Sequence, residues 1–65
     1  MSLGVDMQLL NEKGTPQTNF GTKLLVLIAK ADLHNRALIR KGFPNAVKVF
    51  EYWQETGEIL DLEYD

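Results

Sequence analysis

The chain has 65 residues, 45% of them hydrophobic, and a formal net charge of -2 at pH 7, which is enough material for one small domain. It contains no cysteine and one histidine, so disulfide bonds, cysteine nucleophiles, thiolate metal sites and a histidine-rich metal site are excluded, and we expect no cofactor. The longest apolar run, Leu24 to Ala29, is far shorter than the roughly 20 residues of a membrane span, so we expect a cytoplasmic protein with no membrane partner.

The charges are distributed unevenly along the chain. Residues 20–48 carry six cations and one anion, a net of +5, whereas residues 49–65 carry six anions and no cation, a net of -6. Such asymmetry occurs where a nucleic-acid patch lies beside an acidic tail. In a chain this short, the two segments more often neutralise each other within one fold or across a dimer.

Residues 1–19 have weak hydrophobic periodicity. The stretch EKGTPQTN, residues 12–19, has the glycine, proline and small polar residues of a loop, and VDMQLL before it is read as a short strand or an ordered arm. We therefore expect an irregular N-terminal arm that is too short to fold alone.

The first predicted helix covers residues 20–31. Thr18 or Asn19 can cap it, because either side-chain oxygen can accept from the unpaired amides of the first turn. Its apolar residues lie almost all round the helix, which is typical of a central helix covered on more than one side. A strand over KLLVLIA is the weaker alternative.

Asp32 marks the predicted start of a second helix over residues 33–41. Aspartate caps helices well and is unfavourable inside them, because its side chain competes for backbone amides. One continuous helix over 20–41 is the alternative, since LIAK and LIRK are eleven residues apart, about three turns, and would lie on one face.

The stretch RKGFPNAV, residues 40–47, is interpreted as the corner between two helices. Gly42 suits the left-handed position after a helix end, and Pro44 suits the first position of the next helix. Arg40 and Lys41 would lie in the last turn, where cations favour the carbonyl end of the helix dipole. The third helix, 44–56, ends at Gly57 and carries one apolar stripe: Phe43, Ala46, Val47, Val49, Phe50 and Trp53.

The expected fold is therefore a small all-α domain of three helices, about 20–31, 33–41 and 44–56. It divides into an N-terminal arm or loop (1–19), a helical core (20–57) and an acidic tail (58–65). The tail is interpreted as a short strand, a docked tail or a frayed end.

No arrangement of residues indicates catalysis. Ser2 is the only serine, and His34 is the only side chain with a pKa suited to general-base work. On a helix, His34 points away from Asp32 two positions earlier, so His34 is expected to be a partly exposed surface residue. The four glycines from Gly14 to Gly57 lack the spacing of a phosphate-binding loop. We expect a protein that is not an enzyme.

Self-association is the first functional hypothesis. The apolar residues around the first helix exceed what the other two helices can cover, so a monomer would leave a face such as Leu25, Val26 and Ala29 in water. A two-fold homodimer is the commonest way to bury such a face, and another protein is a further candidate partner. The predicted interface comprises Leu24, Leu25, Val26, Ile28 and Ala29.

DNA binding is the alternative hypothesis. A helix, a corner and a second helix form a helix-turn-helix arrangement, and polar and basic residues cluster around this corner. Glu51 and Glu55 would face the DNA with the wrong sign, and the Gly–Pro corner is unlike the usual recognition turn. The residues of this alternative are Arg36, Arg40, Lys41, Asn45 and Lys48.

Residues 29–53, AKADLHNRALIRKGFPNAVKVFEYW, resemble a pattern found in small uncharacterised bacterial and phage-type proteins. The features that carry the resemblance are Ala31-Asp32, Asn35, Leu38, Phe43-Pro44, Val47 and Trp53. The resemblance implies a bacterial or mobile-element accessory protein and assigns no site residue. The sequence thus favours a non-catalytic accessory protein that acts through self-association and protein–protein contacts, with a small DNA-binding or regulatory protein as the alternative.

Overall fold

A computed structural model describes residues 2–13 and 19–65 of the chain. Over these ranges the chain forms four helices and no strand: α1 (Leu3–Lys13), α2 (Phe20–Lys30), α3 (Leu33–Gly42) and α4 (Pro44–Thr56). The all-α class is confirmed, and the ranges of the three predicted helices are close to those of α2, α3 and α4. The predicted number of helices is wrong, because α1 was not expected.

Helix α1 replaces the irregular arm that the sequence predicted for most of residues 1–19. Leu3 and Met7, one turn apart, are buried against α2 and α4, and Leu10 packs partly against the same core. This burial, rather than strong local propensity, explains a helix in a segment with weak periodicity. The loop predicted over residues 12–19 lies largely outside the described residues.

Helices α2 and α3 are separate, as the preferred interpretation had it. The side chain of Asn19 caps α2 by accepting a 2.8 Å hydrogen bond from the Thr22 N–H. The side chain of Asp32 caps α3 by accepting a 2.8 Å bond from the Asn35 N–H. Between the two helices the backbone of Ala31 is extended, so one continuous helix over 20–41 is ruled out.

The corner between α3 and α4 lies one residue later than expected. Gly42 is still helical with an ordinary negative φ and is the last residue of α3, and the N–H of Phe43, which follows it, donates to the Ile39 carbonyl. The expectation of a left-handed Gly42 is therefore wrong. Pro44 begins α4, as predicted, and Gly57 ends it with a φ of 77°, the left-handed conformation that favours glycine.

The core is formed by three of the helices. Helix α4 contacts all three others, and α2 is covered by α1 on one side and by α4 on another. Helix α3 has no fully buried residue and lies against α4 as an outer layer. The buried hydrophobic residues are Leu3, Met7, Leu24, Leu25, Ile28, Ala46, Val47, Val49 and Phe50.

Residues 58–65, which we call the return segment, run from the end of α4 back to its start without forming a helix or strand. The segment first attaches to the beginning of α1. The Leu3 N–H donates to the Leu62 carbonyl at 2.9 Å, and the Ser2 hydroxyl donates to the Asp61 carboxylate at 2.6 Å. These bonds satisfy polar groups at a helix start that has few local partners.

The return segment then caps α4. Phe43 precedes α4 and cannot offer a side-chain oxygen to its first amides. The carboxylate of Asp65 does so instead, accepting from the Asn45 N–H at 2.7 Å and from the Ala46 N–H at 3.1 Å. A negative charge at a helix start also complements the helix dipole.

Candidate interaction groove

Helices α1, α2 and α4 run side by side in the same direction, because residues near their starts lie close together and residues further along them also lie close together. Near their starts, Asp6 of α1 lies beside Asn19 and Gly21. Further along, the three helices enclose an open apolar groove of about 400 Å³, which we call the α1–α2–α4 groove. Its lining residues are Met7, Leu10, Asn11, Leu25, Val26, Ala29, Lys30, Phe50 and Trp53.

The groove is almost free of charge. Among the lining residues that the structure describes, Lys30 is the one ionisable residue and Asn11 is the one with an amide side chain. The floor consists of buried core side chains such as Leu25, whereas Trp53 and Val26 are half-buried. A surface of this kind accepts apolar side chains from another polypeptide and provides little means to orient a polar substrate.

The five predicted interface residues divide into two groups. Leu24, Leu25 and Ile28 are buried inside the chain's own core, because α1 and α4 cover them. The expectation that a monomer would leave Leu25 in water is therefore wrong, since its exposed fraction is 0%. Val26 and Ala29 are accessible, and both line the α1–α2–α4 groove.

Met7, Leu10 and Trp53 line the groove and were not predicted to belong to an interaction site. A signal for the first two was present in the sequence, since Leu3, Met7 and Leu10 are spaced i, i+4 and i+7, as on one face of a helix. Trp53 was assigned to the core from its place on the apolar stripe. The structure places it half-buried at the groove.

Arg36, the first residue of the DNA-binding alternative, has its side-chain partners within the fold. Its Nη2 donates to the Ile28 carbonyl at 3.2 Å, close to the end of α2. Its guanidinium also lies 5.3 Å from the centroid of the Phe50 ring and 3.6 Å from the Glu51 carboxylate. Arg36 thus joins α2, α3 and α4, and its side chain is only 11% exposed.

Two further residues of that alternative also have partners within the chain. Arg40 donates to both carboxylate oxygens of Glu51 at 2.8 Å, and the Asn45 amide donates to the Glu63 carbonyl at 3.2 Å. Lys41 and Lys48 are exposed, and neither forms a salt bridge with a residue that the structure describes. The five residues are therefore not brought together as one free basic surface.

A buried polar contact lies at the opposite end of the helices from the groove. Asp6 is fully buried, and its carboxylate accepts from the Tyr64 hydroxyl at 2.6 Å and from the Asn19 amide at 3.2 Å. A Cβ atom at position 21 would collide with the same carboxylate, so Gly21 is required there. The contact fastens α1, the start of α2 and the return segment together, and sequence reasoning did not identify it.

The Asp6–Tyr64 contact also changes the ionisation of the tyrosine. The hydrogen bond from the hydroxyl to Asp6 raises the pKa of Tyr64 above its usual 10.0, and loss of solvent and the nearby negative charge of Asp6 act in the same direction. A tyrosine held more firmly in its neutral form is a poorer general base, so this pair stabilises structure rather than activating a nucleophile.

The described residues contain no group of three histidine, aspartate or glutamate side chains that could hold a metal ion. His34 is exposed on α3, and the Asp32 carboxylate is occupied in capping that helix. Within the part of the chain that the structure covers, no helix has the length and apolar character needed to cross a membrane. Comparison of the chain with protein-family models, curated proteins and solved structures finds no match.

Proposed function

We propose that this chain is a non-catalytic protein-interaction module that forms a homodimer through the α1–α2–α4 groove. The observation that carries the proposal is the groove itself, an apolar surface left open beside the buried core that α1, α2 and α4 share. The accessory role implied by the resemblance to small bacterial and phage-type proteins is compatible with such a module.

A second copy of the chain is the occupant that the charge pattern favours. In a two-fold contact the same surface meets itself, so any charge on it faces a like charge. Of the groove residues that the structure describes, Lys30 alone is charged, and that long side chain can extend into water. The small side chain of Ala29 and the short side chain of Val26 allow the α2 helices of two copies to approach closely.

Ala29→Glu is the substitution that tests the proposal. Ala29 is exposed in the monomer, so glutamate there leaves the core intact while placing a charge in the groove of each copy. We expect the unmodified protein to be a dimer at micromolar concentration and Ala29→Glu to be a folded monomer, as measured by light scattering and circular dichroism. Substituting Leu25 would be uninformative, because its side chain belongs to the core.

Ala37→Glu is the matched control, since Ala37 is an exposed alanine on α3 that lies outside the groove. This variant should remain a dimer. A monomeric unmodified protein across micromolar concentrations would refute self-association, and a dimer that survives Ala29→Glu would refute the groove as its interface.

The DNA-binding alternative has weaker support. Arg36, Arg40 and Asn45 have partners inside the fold, and the Asp65 carboxylate lies at the start of α4, the end that would face DNA in a helix-turn-helix protein. A negative charge at that position opposes the approach of a phosphate backbone.

A further inference from the structure

A second apolar surface lies on the flank of α2 that the groove does not include. Phe20 is 67% exposed and Leu27 is 55% exposed, and they are seven residues, or two turns, apart on one side of the helix. The Phe43 ring extends this surface, because its centroid is 5.8 Å from that of Phe20. We call Phe20, Lys23, Leu27 and Phe43 together the Phe20 face.

A small cavity opens between the two phenylalanines. Its volume is about 160 Å³, and the residues around it are Leu3, Phe20, Gly21, Leu24, Phe43, Tyr64 and Asp65. Apolar cavities of roughly 150 Å³ in proteins admit a benzene molecule, so this one can take a single aromatic ring or a leucine side chain. Leu33 and Leu38 are also exposed, but they line none of the cavities described above.

The charges that α2 contributes beside the Phe20 face are all positive, whereas Asp65, across the cavity, has its carboxylate bound to the Asn45 and Ala46 N–H groups. Lys23 lies on the same exposed side of α2 as Phe20 and Leu27, Lys30 lies between that side and the groove, and the helix carries no acidic residue. A two-fold contact between two such faces would bring lysines together, which disfavours a second copy as the occupant. A partner with acidic side chains flanking apolar ones is complementary to this surface.

We propose that the Phe20 face docks an acidic amphipathic helix from another protein. One aromatic or leucine side chain of that helix enters the cavity between Phe20 and Phe43. A second apolar side chain, two turns along, rests on Leu27, while glutamates or aspartates beside it approach Lys23 and Lys30. This mode of binding, a helix whose apolar residues recur every one to two turns, is common in protein recognition. The surface differs from the groove, so each copy in a dimer can hold one such helix.

Two synthetic helical peptides with identical apolar anchors provide the test. Both carry phenylalanine at one position and leucine seven residues later, and their remaining surface residues are glutamate in one peptide and lysine in the other. We expect the acidic peptide to bind, with backbone NMR shifts confined to residues around Phe20, Leu27 and Phe43, and the basic peptide not to bind. Added salt should weaken the acidic peptide's binding.

Substitutions on the face separate its apolar and charged contributions. Phe20→Ala should weaken binding of the acidic peptide about tenfold or more, as expected for loss of an aromatic anchor. Lys23→Glu should weaken binding of the acidic peptide and allow the basic peptide to bind. Leu33→Ala is the control, since Leu33 is 82% exposed on α3 and lies outside the face.

Several results would overturn the proposal. Equal binding of the two peptides would remove the charge selection, and shifts centred on Ala29 and Trp53 would place the peptide in the groove. Duplex DNA that binds at low salt through Lys23 but is insensitive to Phe20→Ala would make the face a nucleic-acid surface. The acidic peptide should bind the Ala29→Glu variant with unchanged affinity, so failure of the dimer proposal and failure of this one are distinguishable.

Discussion

The hydrogen bond between Tyr64 and the buried Asp6 gives the protein a specific response to alkaline pH. Because this bond raises the pKa of Tyr64, its hydroxyl should lose its proton at higher pH than an ordinary tyrosine. The chain has two tyrosines, so the Tyr52→Phe variant contains Tyr64 as its single tyrosine, and the Tyr64→Phe variant contains Tyr52. In Tyr52→Phe we expect the tyrosinate absorbance to appear at higher pH in the folded protein than in the same protein unfolded in urea.

The same pair links stability to pH. The folded state holds the Tyr64 proton more tightly than the unfolded state, whose tyrosine has a pKa near 10.0. The stabilisation is therefore complete below pH 10 and is lost as the pH rises above it, through the raised pKa of the folded state. Urea unfolding should show a steeper alkaline loss of stability for the unmodified protein than for Tyr64→Phe. Equal absorbance midpoints for the folded and the urea-unfolded Tyr52→Phe protein would contradict the assignment.

Arg36 illustrates why single residues of the candidate site were hard to assign from sequence. Its place in a basic cluster was visible, but its partners, Ile28 and Glu51, lie 8 and 15 residues away and become neighbours only when α2, α3 and α4 pack. Charge alone cannot distinguish an arginine that holds helices together from one that binds phosphate.

At the level of helices, the features predicted correctly are those with local signals. Asn19, Asp32 and Pro44 each act within one turn of their own position, so the beginnings of α2, α3 and α4 could be identified. Helix α1 has a local cap too, since the Ser2 hydroxyl accepts from the Val5 N–H at 3.3 Å, but its weak periodicity concealed it, and Leu3 and Met7 are buried against distant segments. The groove could not be predicted either, because α1 supplies one of its walls.

Gly42 and Gly57 offer a test of the two helix ends. Gly42 lies inside α3 with open space around it, so Gly42→Ala should stabilise the protein by about 0.5–1 kcal/mol through a less flexible unfolded chain. Gly57 also has open space but a φ of +77°, so Gly57→Ala should destabilise by about 1 kcal/mol through backbone strain.

The two glycine variants are controls for each other, because both add one methyl group to an uncrowded position. Urea unfolding of both measures the difference. Stability changes of the same sign would contradict the backbone conformations assigned to the two helix ends.

Across the whole molecule, part of the charge asymmetry is resolved within one chain. Glu51 forms salt bridges with Arg36 and Arg40, and Asp65 lies at the positive end of α4. Neither Lys23 nor Lys30 forms a salt bridge with a residue that the structure describes. This leaves a cationic stripe beside the Phe20 face, which is the basis for expecting an acidic partner there rather than a second copy.

The return segment also has a consequence for the folding kinetics. Its contacts with α1 join residues 58 and 59 positions apart, whereas α2, α3 and α4 are consecutive in the chain and contact near neighbours. Closing so long a loop costs more chain entropy than closing a short one, so the contacts among α2, α3 and α4 should form first. The transition state for folding is then expected to contain α2 and α4 packed together, with the return segment still undocked.

Leu62→Ala and Val49→Ala test this order of events. Leu62 packs partly against the core from the return segment, and Val49 is buried in α4. In stopped-flow experiments Leu62→Ala should speed unfolding and leave the refolding rate unchanged, whereas Val49→Ala should slow refolding. If Leu62→Ala slowed refolding as much as Val49→Ala, the return segment would already be docked in the transition state.

With the expected result, local opening of the return segment is the first step of unfolding. The amide protons of α1 should then exchange with solvent faster than those of α4.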